Sequence, residues 1–456
     1  NARLIGMIDE LISAAETHLH SIGIGAGLMV VRGDGALVSA AVAREKPIET
    51  ILSGPAASIA GAQWLSGETD ALVSDIGGTT TDICMLRDGR PSIDPLGARV
   101  GPFRTMVEAV AMRTSGLGGD SEVYINDGLS PSLRLGPRRL MPISLAALQF
   151  PDVIHAELDK ALAQDVPAAD GGQFVLPLWE HPPKCIDEKE AAVVARLGAG
   201  PLRFGKAVQT RMENPALMRL GSRGLVILSG VTPSDASHVL GRLDCWDAQA
   251  AEKALTLFAR RRTGGGNAIA PDASSMAWMM IDQLTAQTVD CLLHAAFVED
   301  PLAREDEVSL VHHPLTKAGL DGHKGLVNID LALGVPVIGL GASAGAYYGA
   351  VGDRLRTKMI LPEHADVANA IGAVVGQVQF QADGTITSAG SGTFAIHASN
   401  GPQTFTDKET ALDALKSALT DEVTVLATDA GIEDIRLSTD VDVKEVNIEG
   451  QRMFIE

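Results

Sequence analysis

The sequence predicts an α/β fold, on two glycine-bearing strand ends and a pair of long helical patterns. Ala71-Leu72-Val73 is an apolar run that enters Asp75-Ile76-Gly77-Gly78-Thr79-Thr80-Thr81-Asp82, and Ile83-Cys84-Met85-Leu86 leaves it, so the stretch reads as strand, tight turn, strand. Val335-Pro336-Val337-Ile338-Gly339-Leu340-Gly341-Ala342-Ser343-Ala344-Gly345 is a buried-type strand that runs through glycines into a helix over 346–355. Residues 247–262 and 274–298 carry helical periodicity, joined by the glycine loop 263–267.

The first of these stretches is built to hold a phosphate. Adjacent glycines let the backbone approach an anion and turn its N–H groups inward. The hydroxyls of Thr79, Thr80 and Thr81 add donors, and the flanking carboxylates Asp75 and Asp82 suit a hydrated cation such as magnesium. In an open α/β domain ligands lie beyond the carboxyl ends of strands, which makes the second strand end a nucleotide-binding candidate. Its Gly-x-Gly-x-x-x-Gly spacing, with no acidic residue suitably placed on a following strand, disfavours a dinucleotide site. A Walker phosphate loop is absent from the sequence.

Composition narrows the partners. The chain has 456 residues, long enough for several domains, and 37 basic against 57 acidic side chains give a net charge of −20. That balance argues against nucleic acid or an anionic membrane as the main partner. The four cysteines, Cys84, Cys185, Cys245 and Cys291, have no Cys-x-x-Cys spacing, which indicates neither a zinc site nor a disulfide framework and suits a reducing, cytoplasmic setting. No apolar run reaches the roughly 20 residues of a membrane helix.

Taken in order, 3–20 has helical spacing of Leu4, Ile8, Leu11, Ala15 and Leu19, and a hairpin follows around Gly33-Asp34-Gly35. Ser53 and Gly54 sit where a cap would begin a helix running to about Leu65. Thr114-Ser115-Gly116-Leu117-Gly118-Gly119-Asp120 alone reads as a structural loop; following a phosphate hairpin, it becomes a second phosphate candidate. From 131 to about 183 the chain is Pro-rich and alternates short pieces, as an inserted subdomain would. Leu225-Val226-Ile227-Leu228 is a strand, and Thr232 caps the next helix. His312, His313 and His323 lie in a polar loop with no zinc spacing and read as surface. The tail predicts a helix over 408–430 and strands over 435–443 and 445–455.

Three pieces in this order resemble the actin-like ATPase (ribonuclease H-like) fold. Asp75 to Asp82 looks like its second phosphate motif, Asp-x-Gly-Gly-x-Thr-x-Asp; Leu117-Gly118-Gly119-Asp120 is similar to the glycine pair that follows; 339–345 looks like its adenosine motif. The phrase Lys46-Pro-Ile-Glu-Thr-Ile-Leu-Ser-Gly-Pro-Ala-Ala57, followed by Asp75 to Asp82, narrows the resemblance to the hydantoinase/oxoprolinase family, as does the segment 232–243. Two features depart from the family pattern. No first phosphate hairpin is found, so either an N-terminal subdomain is missing upstream of Asn1 or the protein does not close around ATP alone; the glycine cluster is also leaner, with Leu117 and Asp120 in place of small residues.

The resemblance implies an actin-like core at 1–130 and 223–400, an inserted subdomain at 131–222 and a small α+β domain at 401–456. It implies an ATP-dependent opening of a cyclic amide of the hydantoin, N-methylhydantoin or 5-oxoproline type, with ATP and magnesium as cofactors and a second, different subunit as partner. In that mechanism ATP phosphorylates the amide oxygen and makes the ring carbonyl carbon open to water. Asp75 would be catalytic and hold magnesium through water. Gly77, Gly78, Thr79 and Thr80 would cradle phosphate with Asp82 supporting the turn, Gly118 and Gly119 would add contacts, and Gly341, Ser343 and Gly345 would border adenosine. A ketone carboxylase subunit and a chaperone-like reactivating ATPase are the alternatives.

Overall fold

The computed structural model describes residues 2–454 except 95, 98, 101–102, 106, 108, 127–131, 167, 186, 199, 301–306, 377, 379, 381, 389–391, 400, 430–434, 444 and 449–450. Its chain divides into two compact units, one made of 1–32, 36–50 and 376–456 and the other of 33–35 and 51–375. The expected boundary at 130/131 falls outside the described residues.

The larger unit is α/β, organised on a mixed six-stranded sheet. Along it run Met112–Ser115, Thr81–Arg87, Ala71–Ile76, Val337–Leu340 and Met359–Ile360, with Arg90–Pro91 paired to Thr81–Arg87. The first three are antiparallel neighbours, whereas Val337–Leu340 lies parallel to both Ala71–Ile76 and Met359–Ile360. Both faces are covered, which explains why these strands are continuous apolar runs instead of alternating ones. Side chains of successive residues point to opposite faces. Leu72, Ile76, Ile83, Met85 and Val337 therefore join one core, while Val73, Cys84, Leu86, Ile338 and Leu340 join another.

The first core is closed by the 27-residue helix Ala273–Glu299 and by Ala344–Leu355. Tyr348 of the latter buries its phenol against Ser74: the two hydroxyls are 2.7 Å apart, and the phenol lies 3.1 Å from the Ser74 carbonyl. The second core is closed by Ser53–Ser66 and Ala368–Val375. These two helices cross backbone to backbone. A β-carbon at Gly61 would fall 1.9 Å from the Ala368 carbonyl oxygen, and one at Gly372 would fall 1.8 Å from that of Ala57.

The Ser53–Ser66 helix starts differently from the sequence expectation. Ser53 is already helical, and the capping position is Leu52, held at φ 64° with no side-chain cap. A second sheet in the same unit orders Met141–Pro142, Val226–Gly230, Phe174–Pro177 and Leu202–Arg203. Beside it, Thr232 and Asp235 form a reciprocal capping box at the start of Pro233–Val239. The fully buried Asp235 carboxylate also accepts from the Ile143 and Ser144 N–H groups and the Ser144 hydroxyl, joining two helix starts.

In the smaller unit, Ile12 of Ala2–Ser21 packs with Val38, Ala40 and Ala43, and Arg44 pairs with Asp9 and Glu16 at 3.0 and 2.7 Å. Leu11, on the same helix, is 65% exposed, so only part of the expected apolar stripe is used. Helix Lys408–Asp429 covers the sheet Thr385–Ser388, Phe394–His397, Gln403–Phe405 through Ala411 and Leu415. The predicted strand over 435–443 is absent: described residues there belong to no strand, and the hairpin that follows pairs Glu445–Ile448 with Gln451–Phe454. No helix of the described residues is long and apolar enough to cross a membrane.

Candidate functional site

The site is assembled where two parallel strands end together. Leu340 is in register with Asp75, so Gly341 and Gly77 leave the sheet side by side. The turn after Asp75 is closed by the Gly77 N–H on the Thr80 carbonyl, 2.9 Å, and Asp75 and Asp82 stand opposite each other across the hairpin. Among the described residues no protein acceptor takes the N–H groups of Gly78, Thr79 or Thr80. These are the donors a phosphate would use.

The glycine loop that follows braces this turn. Gly119 and Asp120 donate their N–H groups to the Gly77 and Gly78 carbonyls at 3.1 and 2.8 Å, and Gly118 donates to the Ser121 hydroxyl at 2.9 Å. In this conformation the loop's donors are therefore spent on protein. Gly118 has a steric reason: a β-carbon would lie 2.5 and 2.6 Å from the Gly77 and Gly78 oxygens. The Thr81 hydroxyl adds a bond to the Leu117 carbonyl at 2.7 Å. Asp120, one of the two residues that depart from the family pattern, is held by Arg139 at 3.1 Å and by the Ser234 hydroxyl at 3.2 Å, with its carboxylate beside Gly78.

Asp75 is mostly buried, and burial is the main force pushing its carboxyl above the ordinary aspartate range. A bond from Ser58 opposes that rise, and the charge of Asp82 adds to it. Burial also raises Asp82, against bonds from Thr114 at 2.5 Å and Thr80 at 3.5 Å. Ser343 precedes the helix Ala344–Leu355 without capping it, and burial raises the nearby Tyr347 phenol, which has no hydrogen-bond partner among the described residues, well above its usual range. Gly345 is in the first turn with open space around it.

A cavity of about 210 Å³ adjoins Asp75, walled by Ser58, Asp75, Ile76, Gly77, Gly341, Ala342, Ala365, Asp366, Ala368 and Asn369. It is smaller than the roughly 300–1,000 Å³ typical of ligand pockets. Sequence reasoning singled out Asp75, Gly77 and Gly341 of this wall and missed Ser58, Asp366 and Asn369 as site residues. No motif marks those three; only the packing of two helices brings them to the strand ends. Among the described residues no group of three or more His, Cys, Asp or Glu side chains is placed to hold a metal.

Comparison with known proteins fits the phrase at 46–57 and the hairpin. Residues 1–143 match the hydantoinase/oxoprolinase family. That span contains the family phrase, the phosphate hairpin and the bracing loop. No curated protein matches the chain. Among solved structures, a nucleotide-free acetone carboxylase, from work on ATP-dependent acetone carboxylation, is 17% identical over 91% of this chain and 44% of its own, with a TM-score of 0.47. An ATP-dependent caprolactamase from Pseudomonas jessenii is 16% identical over 99% of this chain and 49% of its own, with a TM-score of 0.48. The chain spans less than half the length of either.

Proposed function

We propose that this chain is the nucleotide-binding part of an ATP-dependent hydrolase that opens a cyclic amide, on an actin-like ATPase core at 1–130 and 223–400 carrying an insertion at 131–222 and a C-terminal domain at 401–456. The observation that carries it is the set of unpartnered N–H groups at Gly78, Thr79 and Thr80, next to a buried carboxylate at the carboxyl ends of two parallel strands. Those donors fit a nucleotide phosphate, and the Asp75 carboxylate fits magnesium, which keeps most of its waters and takes one or two carboxylates.

The turn 77–80 would hold the phosphates, Asp75 would hold magnesium through water, and Gly341, Ser343 and Gly345 would border the adenosine. Bound there, ATP with magnesium supplies a phosphoryl group that turns the amide oxygen into a leaving group. The chain's own task is positioning and charge neutralisation. Asp75 orients the attacking group with Ser58 beside it on the cavity wall, and Asp82 with Thr114 stiffens the opposite strand. The bracing bonds from Gly119 and Asp120 keep the Gly77 and Gly78 carbonyls occupied, while the N–H groups of Gly78, Thr79 and Thr80 have no protein acceptor among the described residues. A second, different subunit completes the enzyme.

The test is ATP turnover with hydantoin, N-methylhydantoin or 5-oxoproline, with and without a co-expressed partner subunit. Ring-stimulated turnover that disappears in Asp75→Ala, with the fold retained by circular dichroism, is expected. Stimulation by acetone instead of a ring would make the site that of a ketone carboxylase. Stimulation by a protein client and no small molecule would make it a reactivating ATPase. Unchanged turnover in Asp75→Ala would overturn the site assignment.

A further inference from the structure

Tyr347 is a buried group with an unmet need. Its ring stacks on that of Tyr348, with centroids 5.1 Å apart and planes 22° from parallel. Tyr348 spends its hydroxyl on Ser74, whereas the Tyr347 hydroxyl, on a residue only 3% exposed, has no hydrogen-bond partner among the described residues. A buried hydroxyl left unpaired is costly, and native proteins keep few of them. The phenol is aimed at the start of its own helix. Helical side chains lean toward the N-terminus and over the residue four positions back, here Ser343. Ser343 and Asp75 are the strand-end groups that act on the Tyr347 hydroxyl.

The start of this 12-residue helix is itself unsatisfied. The Ala344 and Ala346 N–H groups turn back on the Gly341 and Ser343 carbonyls at 3.1 and 3.0 Å, while those of Ser343 and Gly345 have no protein acceptor among the described residues. The half-buried Ser343 hydroxyl does not cap the helix. It faces the bracing loop, 3.8 Å from where a β-carbon on Gly119 would stand, and nothing lies within 4 Å of a β-carbon at Gly345. Neither Ser343 nor Tyr347 lines the cavity beside Asp75. Free N–H groups at the positive end of a helix, with a hydroxyl beside them, suit a tetrahedral anion.

We propose that the start of helix Ala344–Leu355 is a phosphate subsite, in which the Ser343 and Gly345 N–H groups and the Ser343 hydroxyl donate to the phosphate and Tyr347 donates to the Ser343 oxygen. Tyr347 is then a positioning residue: its sealed phenol meets its need through Ser343 when that hydroxyl turns to the anion. The proposal rests on the nucleotide reading above only for the source of the phosphate, which is the nucleotide's own or a released ion. It gives Ser343 a phosphate where that reading gave it adenosine.

Calorimetric titration of the chain in magnesium buffer with inorganic phosphate, ADP and adenosine tests this. Ser343→Ala is expected to weaken phosphate and ADP about ten-fold and Tyr347→Phe about three-fold, with adenosine changed by less than about two-fold. The double variant should bind no worse than Ser343→Ala, because the phenol acts through that hydroxyl. With no partner to lose, Tyr347→Phe should leave the thermal midpoint of the ligand-free chain at or above wild type. Phosphate that competes with ADP makes the nucleotide's own phosphate the occupant; phosphate that binds beside ADP makes it a released ion, and either supports the subsite. Equal losses for adenosine, affinities unmoved in both variants, no binding of phosphate or ADP, or a midpoint lowered by Tyr347→Phe, as an enclosed water on the phenol would produce, would overturn it. Ring-stimulated turnover is read separately. Its absence with these affinities as expected sinks the hydrolase reading alone, and its presence with them unmoved sinks the subsite alone.

Discussion

Gly341 rests directly on the main chain of Ile76: a β-carbon at 341 would stand 2.1 Å from the Ile76 carbonyl oxygen. The contact joins the ends of the two parallel strands that carry the candidate site. Gly341 also has φ 104°, a conformation that L side chains rarely adopt. Gly341→Ala is therefore doubly opposed, by backbone strain and by a clash with a peptide group that has no rotamer to change. A loss of about 2 kcal/mol or more is expected in chemical denaturation, together with weaker nucleotide binding. Wild-type stability in this variant would contradict the packing of the two strand ends.

Asp75 couples the site to pH. Its carboxyl is raised in the folded state, so the folded protein holds that proton more tightly than the unfolded chain does. The stability associated with the group is fully present below the unfolded pKa and is lost as pH rises through the raised folded value. Asp75→Asn removes this dependence. Its thermal midpoint should match or fall below wild type in acid and gain on wild type as pH rises toward neutrality. Turnover needs the ionised carboxylate in the proposed role, and wild-type activity should fall on acidification with an inflection above the ordinary aspartate range. A midpoint difference independent of pH would contradict the burial of Asp75.

Tyr348→Phe deletes the phenol oxygen that meets the Ser74 hydroxyl and carbonyl, leaving a polar group stranded in the sheet core. The expected cost is about 1–2 kcal/mol, read from the denaturation midpoint at unchanged slope. A Ser74→Ala, Tyr348→Phe double variant should lose less than the sum of the singles, since both partners are then gone.

Asp235→Ala should be more severe. The carboxylate serves the N–H groups of Ile143, Ser144 and Thr232 and two hydroxyls, all buried. Losing it is expected to cost about 3 kcal/mol or more. Asp235→Asn keeps one acceptor oxygen and should recover part of that loss.

Much of the larger unit was legible because its signals are local. The Asp75 to Asp82 turn announces itself by two glycines between apolar runs, and the helices Ala248–Ala259 and Ala273–Glu299 lie within a few residues of their periodic patterns. Thr232 was readable as a cap because its partner Asp235 is three residues away. What stayed hidden depends on distant partners. Leu52 in the left-handed region has no composition cue, since a β-carbon there is normally disfavoured. Ser58 reads as a helix residue until the strand end at Asp75 is placed beside it, and no motif marks Asp366 and Asn369, which stay exposed in the fold. Alternation over 435–443 suggested a strand, but a strand also needs a neighbour to pair with, and none is formed by the described residues there.

The crossing of Ser53–Ser66 with Ala368–Val375 has a mechanical consequence. Peptide groups meet there at Gly61 and Gly372, with no side chain between them to flatten or change rotamer. The Ser58 edge and the Asn369 edge of the cavity are carried on these two rods, so their spacing behaves like a machined gap. Widening it requires tilting a whole helix, and a single methyl group at Gly61 or Gly372 would act as a shim that holds the gap open.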